Sequence, residues 1–264
     1  MNGNGSSRAI HSISAATDRL RIALPDSTRS YGQDAEWCVV EVDGEWRELR
    51  FHDYDLIYQI EGLYERLFYD ILQCRSPSVL RKALGEELER AEVLPDQLRV
   101  LDFGAGNGIM GHELMELGVN YVVGVDLLPE AAAAAERDRP DVYHDYYVLD
   151  MGALSAEERE MLRRHRPNAL TCVAALGFGD IPPECFAVAF DLIETDGWIT
   201  FTIKEDFLSE GDTSGFSRLI SEAVDGGALE LVWTQRYPHR LATDHTPLHY
   251  TGVIGRKRAP LTAR

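Results

Sequence analysis

The sequence predicts an α/β fold: a doubly wound, mostly parallel sheet of seven strands, with an antiparallel hairpin at one edge. Three observations predict it. From Leu98 onward, short apolar runs alternate with segments of helical period, the pattern of strands that lie parallel and are covered on both faces. The first run ends in Asp102 and passes through Gly104, Gly106 and Gly108 straight into a helical pattern. The last two runs are joined by a loop rather than a helix, which suits an edge hairpin.

The elements follow in order. Residues 1–35 begin rich in Gly, Ser, Asn and Thr and read as a flexible N-terminus. Residues 36–95 read as a β-hairpin and a helical cap. Trp37–Val42 and Glu45–Phe51 alternate around Asp43-Gly44, a hairpin signal because the turn needs positive φ. A tyrosine-dense stretch follows, with Leu63, Leu67, Phe68, Ile71 and Leu72 at helical spacing. Ser76-Pro77 reads as the cap and first turn of a helix reaching about Val93.

Residues 96–258 form the main domain, with 259–264 as a tail. After the glycine turn, Ile109, Met110, Leu114 and Leu117 mark a helix. Tyr121–Val125 is the second strand and ends in Asp126; Pro129–Glu136 is an alanine-rich helix; Val142–Leu149 is the third strand and ends in Asp150-Met151. Ser155 and Glu158 form a capping box for the next helix. The unbroken apolar run Ala169–Leu176 is a buried fourth strand. A helix from Pro182-Pro183, a fifth strand over Gly197–Ile203, a helix over Ser214–Val224 and strands at Leu229–Trp233 and Leu248–Ile254 complete the domain.

Composition limits the partners. The chain of 264 residues carries a formal net charge of −18. So acidic a surface repels nucleic-acid phosphates and anionic membranes, and is compatible with a small molecule or a basic protein segment; it also serves solubility alone. Cys38, Cys74, Cys172 and Cys185 form no C-x-x-C pair, and no His/Cys/carboxylate cluster has metal-ligand spacing. No apolar run is long enough for a signal or membrane segment, so a cytoplasmic protein is expected. No pattern in the sequence sets the number of subunits.

The glycine turn carries the chemistry. Glycines let backbone approach a ligand closely, and the N–H groups of the following helix start face it. A dinucleotide fingerprint G-x-G-x-x-G fails from Gly104, whose sixth position is Ile109, and holds from Gly106 through Gly108 to Gly111. A nicotinamide-dependent oxidoreductase is therefore a rival reading. No Gly-Lys-Ser/Thr of a P-loop is present.

The run Asp102-Phe-Gly-Ala-Gly-Asn-Gly108 resembles motif I of the class I S-adenosylmethionine-dependent methyltransferases. Asp126, Asp150 and the turn Thr195-Asp-Gly-Trp198 follow in the order of that family, so the resemblance spans residues 98 to 256. The stretches Thr171–Ala174, Ile181–Glu184, Phe201–Ile203 and Arg236–Arg240 are similar, in sequence and spacing, to the methyltransferase-like protein 27 group. The resemblance implies a Rossmann-like domain that binds S-adenosyl-L-methionine and releases S-adenosyl-L-homocysteine. It assigns Asp102, Gly104, Ala105, Gly106, Asn107, Gly108 and Met110 to the loop around the methionine part. A carboxylate at Asp126 suits ribose hydroxyls, and Leu127 offers an apolar face to adenine. Asp150 and Met151 are implied for the adenine edge, and Ala174 and Leu176 for the neighbourhood of the methyl group.

On the acceptor side, Phe178, Lys204 and Glu205 end strands near the site of entry. Tyr58 and Tyr64 can close over a cationic sulfonium, which suits aromatic faces. His245, His249 and Tyr54 are the candidate catalytic groups, since a hydroxyl acceptor benefits from a general base; His52, His112 and His239 are further candidates for that base. The reaction expected is metal-independent, in-line methyl transfer to an oxygen or nitrogen of a small molecule. Methylation of a protein or peptide side chain, and a non-catalytic binding protein on the same fold, are the other readings.

Overall fold

The computed structural model describes residues 10–13, 20–177, 180–209 and 211–261. The chain divides into two units, Met1–Cys74 with Pro238–Leu248, and Arg75–Tyr237 with His249–Arg264.

The smaller unit holds β1 (Ile10–Ile13), β2 (Ile22–Pro25), β3 (Trp37–Val42) and β4 (Glu45–Arg50), an antiparallel sheet in that order. The Asp43-Gly44 turn takes φ of 55° and 83°, as a tight hairpin turn requires. Two strands thus lie where a flexible N-terminus is expected. The Gly/Ser-rich surroundings mask Ile22-Ala-Leu24, which is buried and whose Ile22 and Ala23 pair with β3. The tyrosine-dense stretch is two pieces rather than one helix: α1 (Tyr54–Gln59) and a π-helical segment, Glu65–Ile71. Gly62, at φ 75°, separates them. Leu63, Leu67 and Leu72 pack with Val40, Phe51 and Ile57 in one core. Fully buried Glu36 fastens the far end of the chain into this unit. It accepts from Arg240 Nη2 at 2.5 Å and from the Thr243 N–H at 2.7 Å.

The larger unit holds α2 (Ser76–Arg90), β5 (Arg99–Phe103), α3 (Ile109–Leu117), β6 (Tyr121–Asp126), α4 (Pro129–Asp138), β7 (Asp145–Val148) and α5 (Ala156–Arg164). It continues with β8 (Ala169–Cys172), α6 (Pro183–Leu192), β9 (Trp198–Lys204), α7 (Phe216–Asp225) and those parts of β10 (Leu229–Leu241) and β11 (Pro247–Lys257) that lie outside Pro238–Leu248. The seven strands run in the order β10-β11-β9-β8-β5-β6-β7. β5 through β9 pair in parallel, and β11 lies antiparallel to β9. β10 is much longer than its apolar run suggests, because Pro238 fits an edge strand, where no ladder N–H is needed.

Alternate residues of the sheet face opposite ways. Leu101, Phe103, Val123 and Val125 join Leu162, Phe186, Phe190 and Phe216 in one core. Val100 and Val122 join Leu80, Leu84, Leu88 and Leu114 in the other. This packing puts α2 in the larger unit, although the sequence groups it with the segment 36–95. Ser76 does not cap α2. It is the first helical residue, and its hydroxyl is 2.6 Å from the Tyr237 hydroxyl. The Ser155/Glu158 capping box forms in both directions.

Candidate active site

The strand order reverses between β5 and β8: the chain winds from β5 to β6 and β7, then returns to β8 and β9 on the other side. Ligands of open α/β sheets bind at the carboxyl ends of strands beside such a reversal. The glycine turn leaves β5 at this point.

The turn is left-handed three times, with φ of 70° at Gly104, 54° at Gly106 and 87° at Gly108. Only glycine takes this conformation without strain. A Cβ on Gly104 would lie 2.7 Å from the Ala175 Cβ, in the loop after β8, so the exits of β5 and β8 converge here. The Gly104 N–H donates to the Val125 carbonyl at 2.9 Å. The Gly106 N–H donates to Asp126 Oδ2 at 2.9 Å, and the Leu128 N–H to Asp126 Oδ1 at 3.0 Å. A carboxylate with two oxygens has lone pairs left after these bonds. Burial raises the pKa of Asp126, opposed by these backbone bonds. Beside it, Leu127 is 58% exposed, an apolar side chain standing in solvent at a strand end.

Asp102 lies one layer deeper, 1% exposed. The Thr171 hydroxyl donates to its Oδ1 at 2.6 Å and the Tyr143 hydroxyl to its Oδ2 at 2.8 Å. Burial pushes its pKa up to about 6, the two hydroxyl bonds pull it down, and the Asp126 charge adds a smaller rise. Tyr143, Tyr146 and Thr171 are the residues that sequence reasoning missed. The Tyr146 hydroxyl donates to the Gly106 carbonyl at 2.8 Å. The signal was in the glycines: Cβ atoms on Gly108, Gly111 and Gly124 would come within 3.2 Å of the Tyr143 ring. The Gly106–Gly111 match to a dinucleotide fingerprint is therefore accounted for at Gly108 and Gly111 by a slot for this ring.

The remaining expectations divide. Ala105 and Asn107 are buried within the turn, and Asn107 Nδ2 donates to Asp138 Oδ2 at 3.2 Å. Met110 packs its side chain into the core with Leu80 and Leu84. Asp150 is exposed and accepts the Gly152 N–H at 2.8 Å, while Met151 is buried. The fourth strand stops at Cys172 rather than Leu176. Ala174 takes φ 58°, and its N–H donates to the Thr202 hydroxyl at 2.7 Å. A non-glycine residue held in this region marks stored strain of the kind found at ligand sites. Leu176 is buried in the core behind it.

On the acceptor side, Phe178 lies outside the described residues. Lys204 pairs with Asp206 at 2.6 Å and Glu205 with Arg236 at 2.6 Å, so both charges have local partners. His249 is half-buried in β11, one residue before Tyr250, which lies opposite Lys204. It therefore stands at the carboxyl end of β9. His112 is exposed on α3. Tyr54, Tyr58, Tyr64 and His245 belong to the smaller unit. There Tyr58 and Tyr64 have ring centroids 5.0 Å apart, and Tyr54 and Tyr58 stack at 6.1 Å. His52 lies edge-on to Tyr54. His245 occupies the turn between β10 and β11, exposed at φ 65°. His239 is buried 3.9 Å from Cys74 Sγ, its pKa well lowered by burial. Among the described residues, no group of His, Cys, Asp or Glu has the geometry of a metal site, and no helix is long and apolar enough to cross a membrane.

Comparison with known proteins adds the family. No curated protein sequence matches the chain. The solved structure of the N-methyltransferase NodS from Bradyrhizobium japonicum WM9, in complex with S-adenosyl-l-homocysteine, superposes with a TM-score of 0.52 at 11% identity, covering 79% of this chain and 98% of that one. Magnesium protoporphyrin IX methyltransferase from Synechocystis PCC 6803, with bound S-adenosylmethionine, gives 0.51 at 13% identity, covering 78% and 98%. A structure named as a candidate RNA methyltransferase, from Pyrococcus horikoshii, gives 0.49 at 15% identity, covering 71% and 87%. For the first two, at these identities, the likeness is one of fold. None of these comparisons supports the narrower likeness to the methyltransferase-like protein 27 group. The family model described as a methyltransferase domain matches residues 77–243, more than half of the chain, and the chain therefore belongs to the methyltransferase domain family.

Proposed function

We propose that this protein is a cytoplasmic enzyme that transfers a methyl group from S-adenosylmethionine to an oxygen or nitrogen of a small molecule, without a metal. One observation carries the reading: three left-handed glycines leave β5 at the reversal of strand order, with the Asp126 carboxylate hydrogen-bonded to the turn they form. Such a cradle, closed to any Cβ at Gly104, suits the methionine part of the cofactor. Asp126 suits the ribose hydroxyls, and exposed Leu127 an adenine face. The bound cofactor supplies an electrophilic methyl group on a sulfonium.

The chain's own residues bind, orient and exclude water. Asp102, Gly104–Gly108, Asp126 and Leu127 are the residues of this reading in the larger unit. Asp150, Ala174 and the chain around Met151 and Leu176 complete the set. For a hydroxyl acceptor, His249 is the favoured base, because it stands at the same end of the sheet as the glycine turn. Tyr54 and His245 remain proposals of the smaller unit, as do Tyr58 and Tyr64 for the acceptor. The charge of −18 disfavours a phosphate backbone as acceptor. Four cysteines without disulfides fit the cytoplasm.

The test is incubation with methyl-tritiated S-adenosylmethionine and separate metabolite, RNA and protein fractions. Label in the metabolite fraction alone supports the reading. Label in RNA or protein would replace the acceptor class, and label nowhere across a broad metabolite set would contradict the activity.

A further inference from the structure

We propose that Tyr143, Tyr146 and Thr171 are positioning residues for cofactor binding, holding Asp102 and the glycine turn in the geometry the cofactor meets. The inference rests on the cofactor reading above and extends it to three residues that touch the turn from beneath. The Tyr146 hydroxyl donates to the Gly106 carbonyl at 2.8 Å, and the Gly106 N–H donates to Asp126 Oδ2 at 2.9 Å. The Gly106 residue is thus held from both sides, by a hydroxyl and by a carboxylate. Tyr143 spans the turn differently. Its hydroxyl lies 2.8 Å from Asp102 Oδ2 and 3.4 Å from the Ala105 carbonyl. Its ring fills the slot that Gly108, Gly111 and Gly124 leave open.

A hydroxyl has one proton, so Tyr143 gives its proton to Asp102 at the shorter distance. Thr171 gives its proton to the other carboxylate oxygen at 2.6 Å. Two donors fix both the orientation and the ionised form of a carboxylate that is out of water. The titratable groups facing Asp102 are Asp126 at the end of β6, Tyr143 just before β7, Tyr146 within β7, and Cys172 beside Thr171 on β8. Among them only Asp126 competes for negative charge near neutrality. Burial of Asp102 puts its titration at about 6, within reach of a binding experiment. A ligand with a free ammonium group binds more tightly when Asp102 is ionised.

The variants are Tyr146→Phe, Tyr143→Phe and Thr171→Val, each losing one hydroxyl and keeping its shape. S-adenosylhomocysteine binding is measured by calorimetry from pH 5 to pH 8.5, with folding checked by circular dichroism. In the wild type, affinity falls on the acid side near pH 6. Tyr146→Phe binds about tenfold more weakly at every pH, with the fall in the same place. Tyr143→Phe and Thr171→Val move the fall to higher pH, because a donor to the carboxylate is gone and its proton is held more tightly. A purely structural role lowers the melting temperature and leaves the pH profile unmoved. Folded variants with wild-type affinity and an unmoved profile overturn the inference while the cofactor reading stands. A folded wild type that does not bind overturns both. Should Tyr143→Phe not fold, Thr171→Val reads the same shift and Tyr146→Phe reads the turn.

Discussion

The Gly106 N–H and the Asp126 Oδ2 are 2.9 Å apart, which ties the glycine turn after β5 to the end of the neighbouring strand. The bond makes turn and carboxylate one unit. Asp126 has a place in the fold before any ligand arrives, and its remaining lone pairs are aimed by a fixed backbone. Deeper in the sheet, Asp102 is held in a similar way by hydroxyls instead of amides.

Asp102 stabilises the empty protein least when it is charged. Its pKa rises from 3.8 to about 6 on folding, chiefly through burial. Between those pH values the folded chain holds a proton that the unfolded chain has released. Stability from this group therefore declines as pH rises through that window and stays lower above it. Asp102→Asn removes the ionisation, and both hydroxyls can turn to suit the amide. The variant is expected to melt at or above the wild-type temperature at pH 7.5, and to bind S-adenosylhomocysteine more weakly. Thermal unfolding of both proteins at pH 5 and 7.5 checks the sign, and an Asp102→Asn variant that melts below the wild type at pH 7.5 would contradict it.

Gly111 is expected to be as restrictive as the glycines of the turn, although it lies in a helix. A Cβ there would be 2.5 Å from Val142 Cγ1 and 2.9 Å from the Tyr143 ring. Gly111→Ala forces these groups apart, at a cost of about 1–3 kcal/mol typical of overpacking. The displaced Tyr143 then carries the effect to Asp102. Denaturant unfolding measures the loss; a gain from the better helix propensity of alanine would show that the ring yields freely.

Glu36 and Arg240 are 0% and 4% exposed and lie 2.5 Å apart. Removing one partner from a buried pair leaves a charge without compensation, which costs about 3–5 kcal/mol. Glu36→Ala and Arg240→Ala should each lower stability by that order. The double variant should lose less than the sum, because no charge is left stranded. Thermal melts of the four proteins form the cycle, and strict additivity would contradict the pairing.

The fold was legible where residues act locally. The glycine turn, the Asp43-Gly44 hairpin, the capping box at Ser155 and the alternation of strands and helices all follow from backbone chemistry near in sequence. What stayed hidden depends on partners far along the chain. Ile22-Ala-Leu24 becomes a strand because β3 pairs with it. Ser76 looks like a cap but bonds Tyr237. The run from Ala169 breaks at Cys172 because Thr202 and a left-handed Ala174 redirect the backbone. Tyr143 and Tyr146 carried no motif. Their trace was the pair of glycines at 111 and 124, which neither helix nor strand needs, and which mark close approach by something large. The candidate general bases scattered because histidine spacing in sequence says little about placement: His239 is buried with Cys74, while His249 stands at the end of β9.

The most direct test of the central claim is calorimetry of S-adenosylhomocysteine binding to the wild type and Asp126→Ala. The expected result is micromolar binding by the wild type and its loss in the variant, with both proteins folded. A folded wild type that does not bind, or an Asp126→Ala variant that binds equally well, would contradict the assignment of the glycine turn and Asp126 as the cofactor site.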